Sequence, residues 1–384
     1  MRSSDWFRLV ALPLAGVAGL AAQDAALDPL SSIKIDLPAS SPVALLSANM
    51  GESRATPRGS AMVVDLHMAL TLRNAGYKRI AGITLLVTAQ EFAPGGKGSV
   101  TTPSLNVAPG EAFPMRLDLQ LLRPAQMAGG PLVQVTLDGV LFQDLSFYGP
   151  NRLDSRRSLT AWEMEAQRDR QHFKAILAAQ GPAGLQREML ASLARQAERP
   201  RLNVAVSRGR AVTSAALGPE RMAQFAFLQF PDAPVAPVEG WAQIAGNEAR
   251  APRIEVRNQS SKAVRYVEIG WLVRERGGRQ YLAASVPGSG PDELYLPPGR
   301  TGRILQESTL RFTRNAGQPV YIDGMAGFVS QVEFTDGKIW IPNRQNLVNA
   351  QLLTVVAPSP EEQRLTELYR RKGIAALAAE LNRF

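Results

Sequence analysis

Phe142-Gln143-Asp144-Leu145-Ser146-Phe147-Tyr148-Gly149-Pro150-Asn151-Arg152 aligns without a gap with Phe334-Thr335-Asp336-Gly337-Lys338-Ile339-Trp340-Ile341-Pro342-Asn343-Arg344, 192 residues further along the chain. Two more blocks recur upstream in the same order. Leu105-Asn106-Val107-Ala108-Pro109-Gly110 answers to Leu294-Tyr295-Leu296-Pro297-Pro298-Gly299, and Leu70-Thr71-Leu72-Arg73-Asn74 to Ile254-Glu255-Val256-Arg257-Asn258, at offsets of 189 and 184 residues. Offsets that grow by a few residues are what loop insertions produce. Three blocks in one order therefore argue for an internal repeat.

Each block reads as strand or turn. Leu70 and Leu72, like Ile254 and Val256, alternate with polar residues, the period of a half-buried strand, and Asn74 or Asn258 then supplies an Asx turn. Gly95-Gly96-Lys97-Gly98 and Arg276-Gly277-Gly278-Arg279 sit where hairpins turn, and Asp336-Gly337 between alternating runs signals a type I′ turn. The first copy has Leu145 in place of that glycine, so either its turn differs or Asp144 does without a left-handed partner. Short strands with turn signals every 8 to 12 residues or so indicate a sandwich or barrel. The expectation is a mainly β protein of two duplicated immunoglobulin-like antiparallel β-sandwiches, residues 30–153 and 200–357, each followed by a helical segment, 154–199 and 358–384.

The helices show their own signals. Leu159, Trp162, Ala166, Phe173, Ile176 and Leu177 fall at helical spacing behind a Thr160/Glu163 capping box, Gly181-Pro182 breaks the run, and Leu185, Met189 and Leu193 resume it. Ser359, Pro360 and Glu362 form an N-cap, first-turn proline and capping acid for a tail helix with a break at Gly373. Its apolar stripe either packs internally or docks on a partner or membrane through Arg370, Arg371 and Lys372.

Residues 254–299 run Asn-x-Ser, apolar alternation, a Gly-Gly turn and Leu-x-x-x-Pro-Gly, which resembles the immunoglobulin-like FxLYD-type modules of exported bacterial proteins. The Leu-Tyr-Asp signature is replaced by Trp271-Leu272-Val273-Arg274. The resemblance implies an interaction or spacer module with no catalytic residues to carry over.

The first 22 residues read as a signal peptide: Arg2 and Arg8 are basic, Leu9 to Leu20 is apolar, and small residues follow. The apolar run is shorter than the roughly 20 residues that span a bilayer, so the mature chain is expected to be exported, periplasmic or at the cell surface, with no transmembrane span. No cysteine is present, which excludes disulfides, thiolate chemistry and a lipobox. The formal charge of +9 rests on 43 basic residues, 36 of them arginine. It favours an envelope protein or an anionic cell-surface polymer as partner over nucleic acid, for which interleaved stacking aromatics are lacking.

No catalytic motif is complete. His67 and His172 are the two histidines, about a hundred positions apart, and no paired ligand spacing for a metal surrounds them. Ser31-Ser32-Ile33-Lys34 contains Ser-x-x-Lys but continues as a strand, no Gly-x-Ser-x-Gly is present, and the Gly95–Ser99 tract lacks phosphate-loop order. No cofactor is expected, and the chain reads as a non-enzyme that binds or scaffolds another macromolecule. Asp144, Tyr148, Asn151 and Arg152, with Asp336, Trp340, Asn343 and Arg344, are the candidate ligand residues, because exposed aromatics and arginines are favoured anchors. The same residues also suit turn and strand-exit roles. A hydrolase or transferase with a site assembled between the domains is the first alternative, and a structural protein on a membrane surface the second.

Overall fold

The computed structural model describes residues 25–26 and 32–384, apart from 92–93, 126–129, 199, 209–219, 290–293, 315–316, 345–349 and 354, so the signal segment lies outside the described residues. Ten strands precede the first helix: β1 (Ala25–Ala26), β2 (Ile33–Asp36), β3 (Val43–Asn49), β4 (Arg54–Arg58), β5 (Ala61–Asn74), β6 (Ile80–Thr88), β7 (Lys97–Thr102), β8 (Ala112–Pro124), β9 (Val133–Phe142) and β10 (Phe147–Tyr148). Helix α1 (Ser155–Glu198) leads into β11 (Arg201–Arg208), β12 (Arg221–Gln224), β13 (Ala226–Phe227), β14 (Val235–Ala245), β15 (Glu248–Asn258), β16 (Val264–Glu275) and β17 (Gln280–Pro287). Then come β18 (Thr301–Ile304), β19 (Ser308–Thr313), β20 (Ile322–Phe334), β21 (Ile339–Trp340), the single turn α2 (Ala350–Leu353) and α3 (Pro360–Leu381).

The first half packs two five-stranded sheets over one apolar core. In one, β5 pairs with β8 on one side and with β3 and β4 end to end on the other. In the other, β6 and β9 are central. Strand β5 alternates buried and accessible residues, as a sheet with one wet face must, whereas eight of the nine β6 residues are buried. The difference arises because α1 covers the outer face of β6 and β9, with Leu159 packed on Ala81 and Leu141. A Cβ on Gly82 would come within 2.7 Å of the Leu159 side chain, so this close approach requires glycine.

The second half overturns the expected duplication of immunoglobulin-like sandwiches, each followed by a helix. Its strands form one eleven-stranded sheet, whose main path β12-β14-β15-β19-β11-β17-β16-β20-β13 is a nearly closed, barrel-like circuit of nine strands. The two ends of the path, β12 and β13, are separated only by Phe225. Pairing of β12 with β14 and of β13 with β20 brings the sheet back on itself. Register shifts in the β14–β15 and β16–β20 ladders supply the bends that such curvature needs. Trp271, fully buried, fills the interior edge-on to Phe225, with ring centroids 5.0 Å apart.

The repeat survives in local hydrogen bonding. Buried Asn74 donates to the carbonyls of Lys78 and Val107, and buried Asn258 to those of Lys262 and Leu296. Lys78 reaches Asp144 at 2.7 Å, and Lys262 reaches Asp336 at 2.5 Å. Gly337 takes φ of 78° in its turn, and Leu145 is driven to φ of 63° in the first copy. Neither expectation holds: the two turns match, and Leu145 itself supplies the left-handed residue beside Asp144, at a cost of about 1–2 kcal/mol.

Helix α1 begins at Ser155, which places Thr160 inside the first turns instead of at the cap. Both long helices break at a glycine of nearly the same geometry, Gly181 (φ 68°, ψ −171°) and Gly373 (φ 78°, ψ −177°), a region open essentially to glycine alone. The four helical legs bury their stripes on one another. Phe173, Leu185 and Met189 of α1 meet Leu365, Leu377 and Leu381 of α3, each α3 residue lying 192 positions after its α1 counterpart. The tail helix thus packs internally, and the helices serve as a shared clasp instead of one accessory per sheet unit.

Candidate functional site

The clasp meets the barrel at a cluster of charged side chains. Asp169 projects from α1 and is fully buried. Its Oδ1 accepts from Arg168 Nε at 2.9 Å and Arg344 Nε at 3.0 Å, and its Oδ2 accepts from Ser359 Oγ at 2.7 Å. Ser359 caps α3 as its sequence indicates, accepting from the Glu362 amide at 3.0 Å. The Glu362 carboxylate instead takes Arg344 Nη2 and Ser192 Oγ, both at 2.5 Å. Arg195 donates to Glu188 at 2.9 Å.

Electrostatics follow from this geometry. Burial alone would raise the Asp169 carboxyl, but Arg168 and Arg344 outweigh it and hold the group ionised below the usual carboxylate range. Burial likewise works against Glu188, and the His172 ring 3.5 Å away together with the hydrogen-bonded Arg195 brings it down to about 2. Arg168, Arg195 and Arg344 are thus matched by Asp169, Glu188 and Glu362. A fourth guanidinium, Arg201 at the start of β11, is different. It donates to the Pro358 carbonyl at 2.6 Å and has no carboxylate within ion-pair distance among the described residues, and burial depresses its pKa.

Two adjoining cavities open beside this cluster. The first, of about 160 Å³, is walled by Arg168, Arg195, Arg201 and Arg344 with Ser192 and Glu362. The second, of about 320 Å³, lies between α1 and the barrel and is lined by Trp162, Glu165, Ser285, Phe328 and Ser330. Arg201, Leu282, Val356 and Pro358 belong to both walls. Glu165 makes no hydrogen bond or ion pair among the described residues. Burial pushes its carboxyl up to about 7, with Asp169 and Glu268 adding repulsion against the pull of Arg168 and Arg201. Glu268 on β16 is also raised by burial.

The eight residues singled out from the sequence do not converge. Asp144 binds Lys78 and caps the Ser146 amide; Tyr148 OH lies 3.0 Å from Ser40 Oγ. Asn151, at φ of 56°, accepts from the Arg156 amide, and Arg152 is exposed. Asp336 binds Lys262, Trp340 donates to Asp232 at 3.1 Å, and Asn343 has a partner of its own. Of the eight, Arg344 is the one that reaches the smaller of these two cavities. Sequence reasoning missed Asp169, Glu165 and Arg201, which lie on the polar side of a helical pattern or at a strand start and carry no local mark of burial. His67 is exposed beside Asp118 at 3.1 Å, and His172 is half-buried against Glu188 at 3.5 Å. No group of three or more metal-ligating side chains is present among the described residues.

No protein-family model matches the chain, and no curated protein does either. Among solved structures, the chain is similar to one titled "pT26-6p", with 11% identity, a TM-score of 0.16, and coverage of 88% of this chain and 72% of that one. It is also similar to a β-glucosidase from Kluyveromyces marxianus, with 10% identity, a TM-score of 0.13, and coverage of 71% and 45%. Scores this low carry no argument about fold or activity. Among the described residues no helix is long and apolar enough to cross a membrane.

Proposed function

We propose that the chain is an exported, non-catalytic envelope protein that binds an anionic cell-surface polymer at the arginine-walled cleft between the helical clasp and the barrel. The observation that carries this reading is Arg201, a guanidinium that lines both cavities and forms no close ion pair among the described residues, with Glu165 and Glu362 attracting it only from longer range. The other three arginines of the wall are already neutralised. A phosphate or carboxylate on a ligand would supply the missing counter-charge, and such charge-assisted hydrogen bonds contribute about 1.5–3 kcal/mol each.

Calorimetric titration with a poly(glycerol phosphate) oligomer and with an oligogalacturonate tests the reading. Binding of either that falls about tenfold or more in Arg201→Gln, with an unchanged melting temperature, supports it. Saturable binding of neither at low ionic strength refutes it. A hydrolase has one observation on its side, the raised Glu165 carboxyl in the wall of the larger cavity. Turnover of a bound polymer that is lost in Glu165→Gln would favour that alternative.

A further inference from the structure

The larger cavity has a composition that the arginine wall does not explain. Its floor is apolar, with Leu282, Ala283, Phe328 and Val356, while Trp162, Glu165, Ser285 and Ser330 bring an aromatic ring and oxygen atoms to its sides. At about 320 Å³ it falls at the small end of the range for ligand sites, and an apolar surface with a few placed polar groups is their usual make-up. Trp162 is half-buried, and its indole N–H has no hydrogen-bond partner among the described residues. The Glu165 carboxyl is likewise unused. Ser330 Oγ donates to the Glu268 carbonyl at 3.2 Å, which leaves its lone pairs as acceptors.

We infer that this cavity is a sugar subsite and that the polymer is an anionic glycan: a hydroxylated ring lodges beside Trp162 with its hydroxyls on Glu165, Ser285 and Ser330, while an acidic substituent reaches Arg201. The inference rests on the reading of the arginine wall given above. A pyranose ring offers a C–H face that suits an aromatic and aliphatic surface, and a rim of hydroxyls that each donate and accept. Near neutral pH the raised Glu165 carboxyl is present in both protonation states, so it can serve as donor or acceptor to such a hydroxyl. Arg201 borders both cavities, which sets the acidic group and the ring side by side on one ligand. A simple polyanion such as polyglutamate would meet the arginine and leave the second cavity empty.

Binding of an oligogalacturonate is compared with that of an oligoglutamate of equal length and charge, on the full chain, by calorimetry and by tryptophan fluorescence. The expected result is that the glycan binds at least about tenfold tighter, and that Glu165→Ala and Trp162→Phe each bring it to the level of the peptide. The fluorescence change should disappear in Trp162→Phe, a reporter effect that a purely structural role for the indole would not give. Equal binding of both polymers, with loss in Arg201→Gln, overturns the sugar subsite and leaves the arginine reading standing. Binding of neither overturns the sugar subsite, and the arginine reading falls with it when the poly(glycerol phosphate) oligomer also fails to bind. Should Trp162→Phe unfold, Glu165→Ala and a Ser330→Ala variant carry the same comparison.

Discussion

Replacing Glu165 by Gln removes a charge and keeps the shape of the side chain, and the consequence for stability follows from the titration of the carboxyl. In the folded chain the group is raised from 4.5 to about 7, first by burial and then by Asp169 on α1 and Glu268 on β16, against Arg168 and Arg201. A raised carboxyl binds its proton more tightly in the folded state than in the unfolded chain. Its ionisation therefore costs folding free energy, absent below about pH 4.5, growing as pH rises toward 7 and complete above it. The full cost is about 3 kcal/mol at 1.36 kcal/mol for each pH unit. Gln carries no such cost. Urea denaturation at pH 4.5, 6, 7 and 8 should show wild type and Glu165→Gln close together at the acid end, with the variant gaining progressively, to about 3 kcal/mol at pH 8. A difference that stays flat with pH, or a variant less stable at pH 8, would refute the reasoning, because it would mean that Glu165 is ionised and paired in the folded chain.

Arg344→Ala should destabilise by about 3–5 kcal/mol, since buried Asp169 and Glu362 lose a cation they share, whereas Arg152→Ala at the matching repeat position should stay within about 0.5 kcal/mol; urea midpoints compare them. Asn258→Ala removes two buried donations, to the Lys262 and Leu296 carbonyls, together with the acceptor for the Ser260 amide, and should cost about 1–3 kcal/mol even though Leu296 keeps the Val264 amide; Asn74→Ala should be similar, measured the same way. Gly373→Ala meets no atom within 4 Å, so its expected cost of about 1–3 kcal/mol is backbone strain alone, and a melting temperature that does not fall would show that the helix break is not fixed.

How much of this could be read in the chain depends on the range of the interaction. Strands and turns were legible because alternation, Pro-Gly pairs and the two buried asparagines are local signals, and the Ser359 cap was legible for the same reason. Closure of the second sheet was not. It depends on the Arg221–Phe227 run pairing with β14 at one end and β20 at the other, and inward alternation looks the same in a sandwich and a barrel. The site was mostly hidden too. Asp169 and Glu165 look like solvated residues of an amphipathic helix until α3 and the barrel cover them.

The repeat also bears on why the arginine-walled cleft lies beside the second tract and not beside the first. Arg152 and Arg344 occupy the same place in the aligned tracts, yet Arg152 faces solvent while Arg344 is buried against Asp169 and Glu362. The difference comes from the clasp: the helix after the first half runs straight from Asn151 into α1, whereas the second tract is separated from α3, so Arg344 can fold back onto α1. Residues 192 apart within the clasp pack as equals, but the charges follow that symmetry only in part: Asp169 corresponds to Glu361, both buried acids, whereas Arg170 corresponds to Glu362, a reversal of sign. A ligand site that uses Arg201, Glu165 and the barrel wall can then exist only on the second half. Transplanting the second-half residue into the first, as in Leu145→Gly, would relieve a turn without creating a second site, and binding stoichiometry should remain at one ligand per chain.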